Sequence, residues 1–234
     1  MTPGRRWTRL CTAGAAAAVM CLLSGCVTVV GGTATRDPAA PPPGAAVTEV
    51  DLDNLLLPVT ELGDIVGSDD LTVTVELDQF NDSSAAMDDP DCLAAAFGAQ
   101  ERVYAGTGWT AVRDQIVREP GSFSPHWIEQ VVVLFTSDLH ARDFFDQSRE
   151  TWGGCVGTLT TYDIDQMPLE WVVGEVTAEE STISQLSVPE TAVRGGCHHA
   201  LSVAANLVAE AWACGEGVED QASEIVDQIV ANIE

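Results

Sequence analysis

The sequence predicts an α+β fold, in which helices pack on the faces of a twisted, mainly antiparallel sheet and two disulfides stabilise the domain. Short segments that alternate or run apolar, as strands do, follow one another from about residue 71 to residue 213. Segments with helical spacing lie between these strands and after the last of them, an order typical of α+β domains. The four cysteines beyond residue 90 form an even set, as in exported chains whose thiols oxidise.

The folded part is expected to begin near Asp51 with a short helix and a strand. Pro58 stands in the first turn of the helix, its apolar residues share one side, and Gly67 ends it. Residues 71–77 then place apolar side chains at every second position, which predicts a half-buried strand. After an acidic, turn-rich stretch, residues 92–97 can form a second short helix.

The remaining elements are seven strands and two longer helices. The strands are expected over 109–117, 127–135, 156–162, 171–177, 183–188, 198–204 and 207–213. Ser137 can cap a helix that runs to about Trp152, because its hydroxyl can accept from a free backbone N–H of the first turn. The last helix places apolar residues at helical spacing up to Ile233. Two acidic residues, Glu219 and Asp220, lie in its first turn, where the positive end of the helix dipole stabilises negative charge.

Residues 1–25 have the pattern of a secretory signal. Three arginines precede an apolar run of 14 residues, Leu10–Leu23, which is shorter than the ~20 residues that span a bilayer. The segment ends in Leu-Ser-Gly before Cys26 and resembles the lipobox of bacterial lipoproteins. That resemblance implies that the chain is cut before Cys26 and that the Cys26 thiol carries acyl chains such as palmitate. We therefore expect a protein that is lipid-anchored to the cell membrane on its extracytoplasmic side.

The segment 26–50 is expected to be a flexible Pro/Gly/Ala tether that holds the domain, residues 51–234, away from the membrane. The full sequence has a net charge of −26 and contains no lysine. Loss of the three arginines with the signal makes the charge −29. A field of this sign repels phosphate backbones, so nucleic acid is excluded as a partner. Contact with the membrane is expected through the N-terminal lipid alone.

Four cysteines, Cys92, Cys155, Cys197 and Cys214, lie outside the signal and the lipobox, and three pairings are possible in principle. If a tight turn is centred on residues 205–206, residues whose numbers add to 411 face each other across a hairpin. Cys197 and Cys214 meet this condition and would lie opposite each other at its base. Cys92 and Cys155 are then left to pair.

Catalytic, metal and nucleotide sites find little support in the sequence. Cys197, His198 and His199 are adjacent and would point to alternate faces of a strand, whereas zinc needs three or four converging ligands. We expect one of these histidines to be buried and the other exposed. No G-x-S-x-G elbow and no glycine-rich phosphate loop is present. The chain is therefore predicted to be neither an enzyme nor a holder of a metal or cofactor.

A binding role remains. Tryptophans at strand positions could line a cleft with Tyr104 or Arg113, and aromatic residues beside one buried arginine suit an anionic or amphipathic ligand. These tryptophans are Trp109, Trp127, Trp171 and Trp212. For each of them, however, we favour a structural place in the core. Asn206 belongs either to the hairpin turn, which we favour, or to the cleft. The candidate ligand-binding residues are thus Tyr104, Trp109, Arg113 and Asn206.

Several short motifs occur together in a characteristic order. They are Leu55-Leu56-Leu57-Pro58 with Gly67; Asp91-Cys92; Tyr104; Trp152-Gly153-Gly154-Cys155; Cys197 to Val208; and Ala213-Cys214-Gly215. This order resembles the PknH-like extracellular sensor domain, which occurs in a mycobacterial Ser/Thr kinase and in lipoproteins, and the likeness covers about residues 51–234. The resemblance implies a central antiparallel sheet with helices around it, the two disulfides argued above, and a cleft that receives a ligand.

Two functions are compatible with these features. The first is a lipid-anchored, non-catalytic sensor domain that binds a small ligand or a component of the cell envelope. The second is a structural or interaction lipoprotein whose partner is another envelope protein and which has no small-molecule site. A pocket with converging polar groups would favour the first function, and a broad exposed apolar patch would favour the second.

Overall fold

The computed structural model describes residues 46–121, 125–163, 165–191 and 195–233. The predicted signal peptide, Cys26 and the tether up to residue 45 lie outside the described residues. Within them the chain forms nine strands in one antiparallel sheet, together with six α-helices. This architecture confirms the predicted α+β class.

The sheet is antiparallel throughout and combines nearly all of the predicted strands. In chain order, β1 to β9 are Thr72–Leu77, Trp109–Arg118, Trp127–Phe135, Gly157–Tyr162, Pro168–Val173, Thr177–Ala178, Thr182–Pro189, Gly196–Ala204 and Leu207–Gly215. Their spatial order is β1-β2-β3-β9-β8-β7-β5-β4, and β6 pairs with β7. The predicted strand over 171–177 is interrupted, because β5 ends at Val173 and only two residues continue as β6.

Six helices accompany the sheet. In chain order, α1 to α6 are Leu52–Leu55, Val59–Val66, Leu93–Ala96, Glu101–Tyr104, Asp138–Gly154 and Gln221–Ala231. The predicted caps are present: Gly67 ends α2 with a left-handed φ of 73°, and the Ser137 hydroxyl accepts from the His140 N–H at the start of α5. Among these helices, none combines the length and the apolar composition that crossing a bilayer requires.

The two faces of the sheet bury separate apolar cores. Helix α5 covers one face through the predicted inward residues, Ala141, Phe144, Phe145 and Trp152. Helices α1, α2 and α6 cover the other face, and α6 contributes Ala222, Ile225, Val226 and Ile229. Strands β3, β8 and β9 lie in the middle and are buried on both faces, which explains their almost continuous apolar sequences.

Both disulfides have the expected pairing. Strands β8 and β9 form a hairpin around residues 205–206, and its register places Cys197 opposite Cys214 with their Cα atoms 4.0 Å apart. Cys92 bonds to Cys155 over a Cα separation of 5.6 Å. This second bond joins the segment before α3 to the end of α5. The Cys197–Cys214 bond thus reinforces a pairing that the strand ladder already makes, whereas the Cys92–Cys155 bond fixes a contact that no strand pairing provides.

The structure confirms one of two expectations about burial and corrects the other. Strand β1 lies at the sheet edge and keeps the predicted alternation: Leu71 just before it is buried, Val75 and Leu77 are partly buried, and the polar residues between them are exposed. The exception is Val73, which is 39% exposed beside a shift of register before Val75. His198 and His199 are both buried, whereas one was expected to be exposed. The physical reason is that β8 is an inner strand. Helix α6 covers the face of His198, and α5 covers the face of His199.

The N-terminal end of the fold includes residues that were assigned to the tether. Val47 is buried, and its backbone N–H and C=O both bond to the Asn206 side chain, at 2.9 and 3.0 Å. Thr48 and Asp51 then bond to each other ahead of α1. The chain thus joins the domain upstream of Asp51.

A candidate ligand-binding cavity

A cavity of about 460 Å³ lies between the segment 81–100 and one end of the α5 face of the sheet. Its walls are mainly apolar and aromatic. The principal apolar lining residues are Phe97, Ile116, Trp127, Trp171, Val173 and Trp212. Fewer polar residues face it, among them Asn81, Gln100, Glu129, Thr161 and Ser187. A concave, aromatic site with a few polar groups is the usual form of a small-molecule pocket.

Strand register brings three of the four strand tryptophans to this cavity. Trp127 pairs with Cys214, and Glu129, two residues further along β3, pairs with Trp212. Alternate side chains of one strand share a face, so all four residues reach the same side of the sheet. Trp171 approaches from β5, and its indole N–H donates to Thr161 Oγ1 over 3.1 Å.

The segment 81–100 is fixed over the sheet by its own polar contacts. The Gln100 side chain accepts from the Ser83 N–H at 2.7 Å and donates to the Gly98 carbonyl at 2.6 Å. Gly98 lies so close to the sheet that a Cβ there would come within 2.5 Å of Glu129 Oε2 and 3.2 Å of Trp212 Cδ1. A glycine is therefore required at this position for the segment to approach the cavity floor.

Three carboxyl groups lie buried beneath this end of the cavity. Asp114, Glu129 and Glu210 come from the neighbouring strands β2, β3 and β9, and each is at most 5% exposed. Glu129 and Asp114 are hydrogen-bonded to each other. Burial, followed by the nearby Glu210, raises the pKa of Asp114 to about 6. Burial, followed by the charges of Asp114 and Glu210, raises the pKa of Glu129 well above its ordinary value.

Glu210 is the centre of a polar group that extends into the core. The Tyr104 hydroxyl donates to one of its oxygens over 2.8 Å, and His199 Nε2 lies 2.9 Å from the other. Burial, then Glu210, raises the pKa of Tyr104. Burial lowers the pKa of His199, although its bond to Glu210 acts in the opposite sense. The His199 ring lies between Trp152 and Trp212, with ring centroids 3.8 and 3.9 Å away.

Four buried polar atoms of this region have no hydrogen-bond partner among the described residues. They are Asp114 Oδ1, Gln185 Oε1, His199 Nδ1 and Trp212 Nε1. Unpartnered buried groups are uncommon in folded proteins and each costs about 1–3 kcal/mol. Of these four residues, Trp212 lines the cavity, whereas the other three lie outside its lining.

The aromatic candidates Tyr104 and Trp109 lie beside the cavity rather than on its walls. Tyr104 is buried, and its ring stacks between Phe80 and Phe144 at centroid distances of 4.3 and 4.4 Å. Trp109 packs edge-on against Phe80 at 4.8 Å. Both side chains belong to the core beneath the segment 81–100. The structure thus uses them as packing residues.

The other two candidates, Arg113 and Asn206, lie away from the cavity. Arg113 donates to Asp53 over 2.6 Å and lies 3.8 Å from Glu49, on the opposite face of the sheet. Asn206 occupies the hairpin turn and bonds to Val47. None of the four candidate residues is among those that line the cavity, and the described lining residues include no arginine that could attract an anion.

Sequence reasoning missed Phe97 and Glu129 as cavity residues. Glu129 did carry a signal: it stands in the strand WIEQVVVLF, which is otherwise almost wholly apolar. An acid in such a strand must be buried or must face a polar space. No group of three or more potential ligands for a metal ion occurs among the residues that the structure describes.

Comparisons with known proteins agree with this geometry. The family model described as the PknH-like extracellular domain matches residues 47–232. The serine/threonine-protein kinase PknH of Mycobacterium bovis is 34% identical over 221 residues, which cover 94% of this chain and 37% of the kinase. The Mycobacterium tuberculosis PknH is also 34% identical, with 94% and 35% covered. The chain therefore spans just over a third of the length of the kinases that it matches.

The fold is shared with a solved structure. The crystal structure of the extracellular domain of PknH from Mycobacterium tuberculosis superposes with a TM-score of 0.77 and is 33% identical. The match covers 81% of this chain and 98% of the crystallised chain. Likeness to a kinase is therefore confined to its extracellular, sensor part, consistent with an extracytoplasmic position. The family model, the sequence identity and the fold agree that the chain belongs to the PknH-like extracellular domain family.

Proposed function

We propose that this protein is a lipid-anchored, non-catalytic sensor domain of the cell envelope that binds a small ligand in the cavity of about 460 Å³. The cavity is the observation on which the proposal rests. Its volume suits a small organic molecule, its aromatic walls supply most of the contact area, and a few polar groups can orient the ligand.

A binding role accounts for the construction of the site better than catalysis does. The sulfurs of Cys197 and Cys214, both lining residues, are bonded to each other and offer no thiol nucleophile. The lining residues include no histidine that could act as a general base, since His199 is stacked behind Trp212. Relatives share this domain as the extracellular part of a kinase, which supports sensing rather than turnover.

The proposal is tested by recovering the ligand with the protein. The full-length protein should be extracted from its own membranes and its soluble domain analysed by native mass spectrometry, where we expect an additional, reproducible non-covalent mass. Ala96→Trp, which adds an indole to a half-buried cavity residue, should lose this mass. Ala178→Trp on the exposed strand β6 should keep it. An empty wild-type domain, or retention of the mass in Ala96→Trp, would contradict a cavity ligand.

The proposed anchor is tested separately at Cys26. With an alkyne analogue of palmitate in the growth medium, we expect wild-type protein to become labelled and to partition into detergent. Cys26→Ala should lose the label and accumulate with its first 25 residues attached. Labelling of this variant would contradict Cys26 as the site of the anchor, and a wild-type chain that is uncut and unlabelled would rule out the lipid anchor; both results leave the cavity proposal intact.

A second candidate function, an interaction module, is supported by one exposed apolar patch. Val172 and Val188 pair across β5 and β7, and with Leu186 they are each about two-fifths exposed. Exposed clusters of this kind often contact partner proteins. Under this alternative, Val172→Glu should abolish cross-linking to an envelope partner and Ala96→Trp should not. The reverse result would favour the cavity.

A further inference from the structure

We propose that the cavity binds an organic cation of the quaternary-ammonium type, held by the tryptophan faces and by the carboxylate of Glu129. This inference rests on the proposed function and specifies the ligand that the cavity takes. Ammonium groups are bound by aromatic rings through the negative potential of the ring face, and tryptophan is the strongest of these rings. The cavity combines such rings with an acid on its floor.

The aromatic walls come from several elements and enclose the space from different sides. Trp127 and Trp212 belong to the neighbouring strands β3 and β9, Trp171 stands on β5, and Phe97 follows α3 in the covering segment. The ring of Trp212 already stacks on His199, so its remaining surface is what it offers the cavity. Several rings around one volume match the arrangement that recognises methylated ammonium groups.

The charged residues that line the cavity determine which sign of charge a ligand can carry. Asp82 and Glu129 are the charged side chains among the described lining residues, which include no lysine, arginine or histidine. Asp114 and Glu210 lie behind Glu129 and add negative potential. The charged side chains of the lining would repel an anion. A cation would find a counter-ion in the buried Glu129, where the attraction is stronger than in bulk water.

Binding of a cation would also give a role to the buried carboxyl pair of Glu129 and Asp114. In the ligand-free domain, Glu129 donates a shared proton to Asp114, because burial and mutual repulsion raise the pKa of both groups. An ammonium group beside Glu129 lowers its pKa, so the cation enters and the proton leaves to solvent. The other titratable groups near this carboxyl are Glu210 on β9, Tyr104 on α4, His199 on β8 and Asp82 in the covering segment. Affinity should therefore fall as the pH falls.

The experiment compares choline with 3,3-dimethylbutan-1-ol, its uncharged isostere of nearly the same shape. Titration calorimetry uses residues 46–234, since the matching domain of PknH was crystallised as an isolated domain. At pH 7 we expect choline to bind at least tenfold more tightly than the alcohol. Binding should release close to one proton, measured in two buffers of different ionisation enthalpy, and should weaken at least fivefold at pH 5.

Two variants identify the carboxyl involved. Glu129→Gln keeps the shape and the hydrogen bond of the protonated acid, so it should fold as wild type does by circular dichroism and should lose both the tenfold preference and the proton release. Glu76→Gln, on the exposed edge strand β1, should keep both. Equal binding of the alcohol, no binding of choline at millimolar concentration, or an unchanged preference in Glu129→Gln would overturn the inference. Binding of the alcohol alone would still leave a ligand cavity, whereas an empty domain from native membranes would remove the proposed function itself.

Discussion

Glu210 lies among aromatic side chains in the core, where an acid is tolerated only because donors reach both of its oxygens. Tyr104 supplies one of these donors from α4, and His199 lies against the other oxygen. The Tyr104 ring is held between Phe80 and Phe144 independently of its hydroxyl. The hydroxyl can therefore be removed while the ring stays in place, so the contribution of one buried hydrogen bond to the free energy of unfolding can be measured.

Tyr104→Phe should lower the free energy of unfolding by about 1–3 kcal/mol, because it leaves a buried carboxyl oxygen without its donor. The matched control is Tyr162→Phe, whose hydroxyl bonds to Asp88 over 2.7 Å at an exposed position. Water replaces that bond, so the control should change stability by less than about 0.5 kcal/mol. Urea denaturation followed by tryptophan fluorescence measures both variants. An equal loss of stability in the two variants would show that the bond to the buried Glu210 is worth no more than an exposed hydrogen bond.

Asp114 should make stability depend on pH. Its pKa is about 6 in the folded protein and 3.8 when exposed, so the folded state keeps a proton between these values that unfolding releases. This contribution is complete below pH 3.8 and is lost as the pH rises through 6. Relative to Asp114→Asn, the wild type should lose up to about 3 kcal/mol between pH 4 and pH 7. His198 and His199, whose pKa is lowered, act in the opposite sense in both proteins and cancel in the difference. The pKa of Glu129 is raised partly by Asp114, so its contribution has the same sign and the difference reports on the carboxyl pair. A constant difference across the pH range would contradict the raised pKa of Asp114.

At the scale of elements, the β8–β9 hairpin connects the N-terminal end of the fold to the sheet. The Asn206 side chain makes three hydrogen bonds, two to the Val47 backbone and one to the Phe135 carbonyl at 3.2 Å. A turn residue thereby holds a segment that is 159 positions away in sequence. The position of the N-terminal end of the described fold therefore depends on Asn206.

Asn206→Ala should destabilise the domain by about 1–2 kcal/mol and speed amide exchange at Val47 more than elsewhere. Asn232→Ala is the matched control, since that side chain makes one long bond of 3.4 Å to the Leu55 carbonyl. Hydrogen exchange measured by mass spectrometry resolves the N-terminal peptide in both variants. Faster exchange spread evenly over the domain, with no excess at the N-terminal end, would contradict a local role for Asn206.

The inner strands were predictable from the sequence because strands buried on both faces have almost continuously apolar sequences. The hairpin register and its disulfide followed from the spacing of Cys197 and Cys214 around a two-residue turn. The edge position of β1 was not predicted, because alternation shows which side chains share a face and not which strands lie on either side. A cleft with tryptophans was predicted, and Trp127, Trp171 and Trp212 line it, but Glu129 and Phe97 were missed. These two residues meet only when the covering segment folds over the sheet, a long-range contact that no local pattern records.

At the scale of the whole molecule, acidic residues greatly outnumber basic ones. The sequence has 36 acidic and 10 basic residues, and the described part shows few arginine ion pairs, such as Arg113 with Asp53 and Arg149 with Asp146. Acidic groups therefore mostly repel one another over the surface, and the compact state brings them closer than the unfolded chain does. Most of the stability must come from the two apolar cores and the disulfides, which oppose this repulsion.

Screening should consequently stabilise the domain. Raising NaCl from 10 to 200 mM shortens the Debye length from about 30 Å to under 8 Å, which removes most repulsion between distant surface acids and weakens only a few exposed pairs. We expect the Tm of residues 46–234 to rise by several degrees, at about 2–4 °C for each kcal/mol gained. At pH 4, where many carboxylates are protonated, the same salt step should have a smaller effect, which separates screening from a general influence of salt on protein hydration. A Tm that falls with salt at pH 7 would mean that attractive pairs dominate the electrostatics, and that the large negative charge is compensated within the fold.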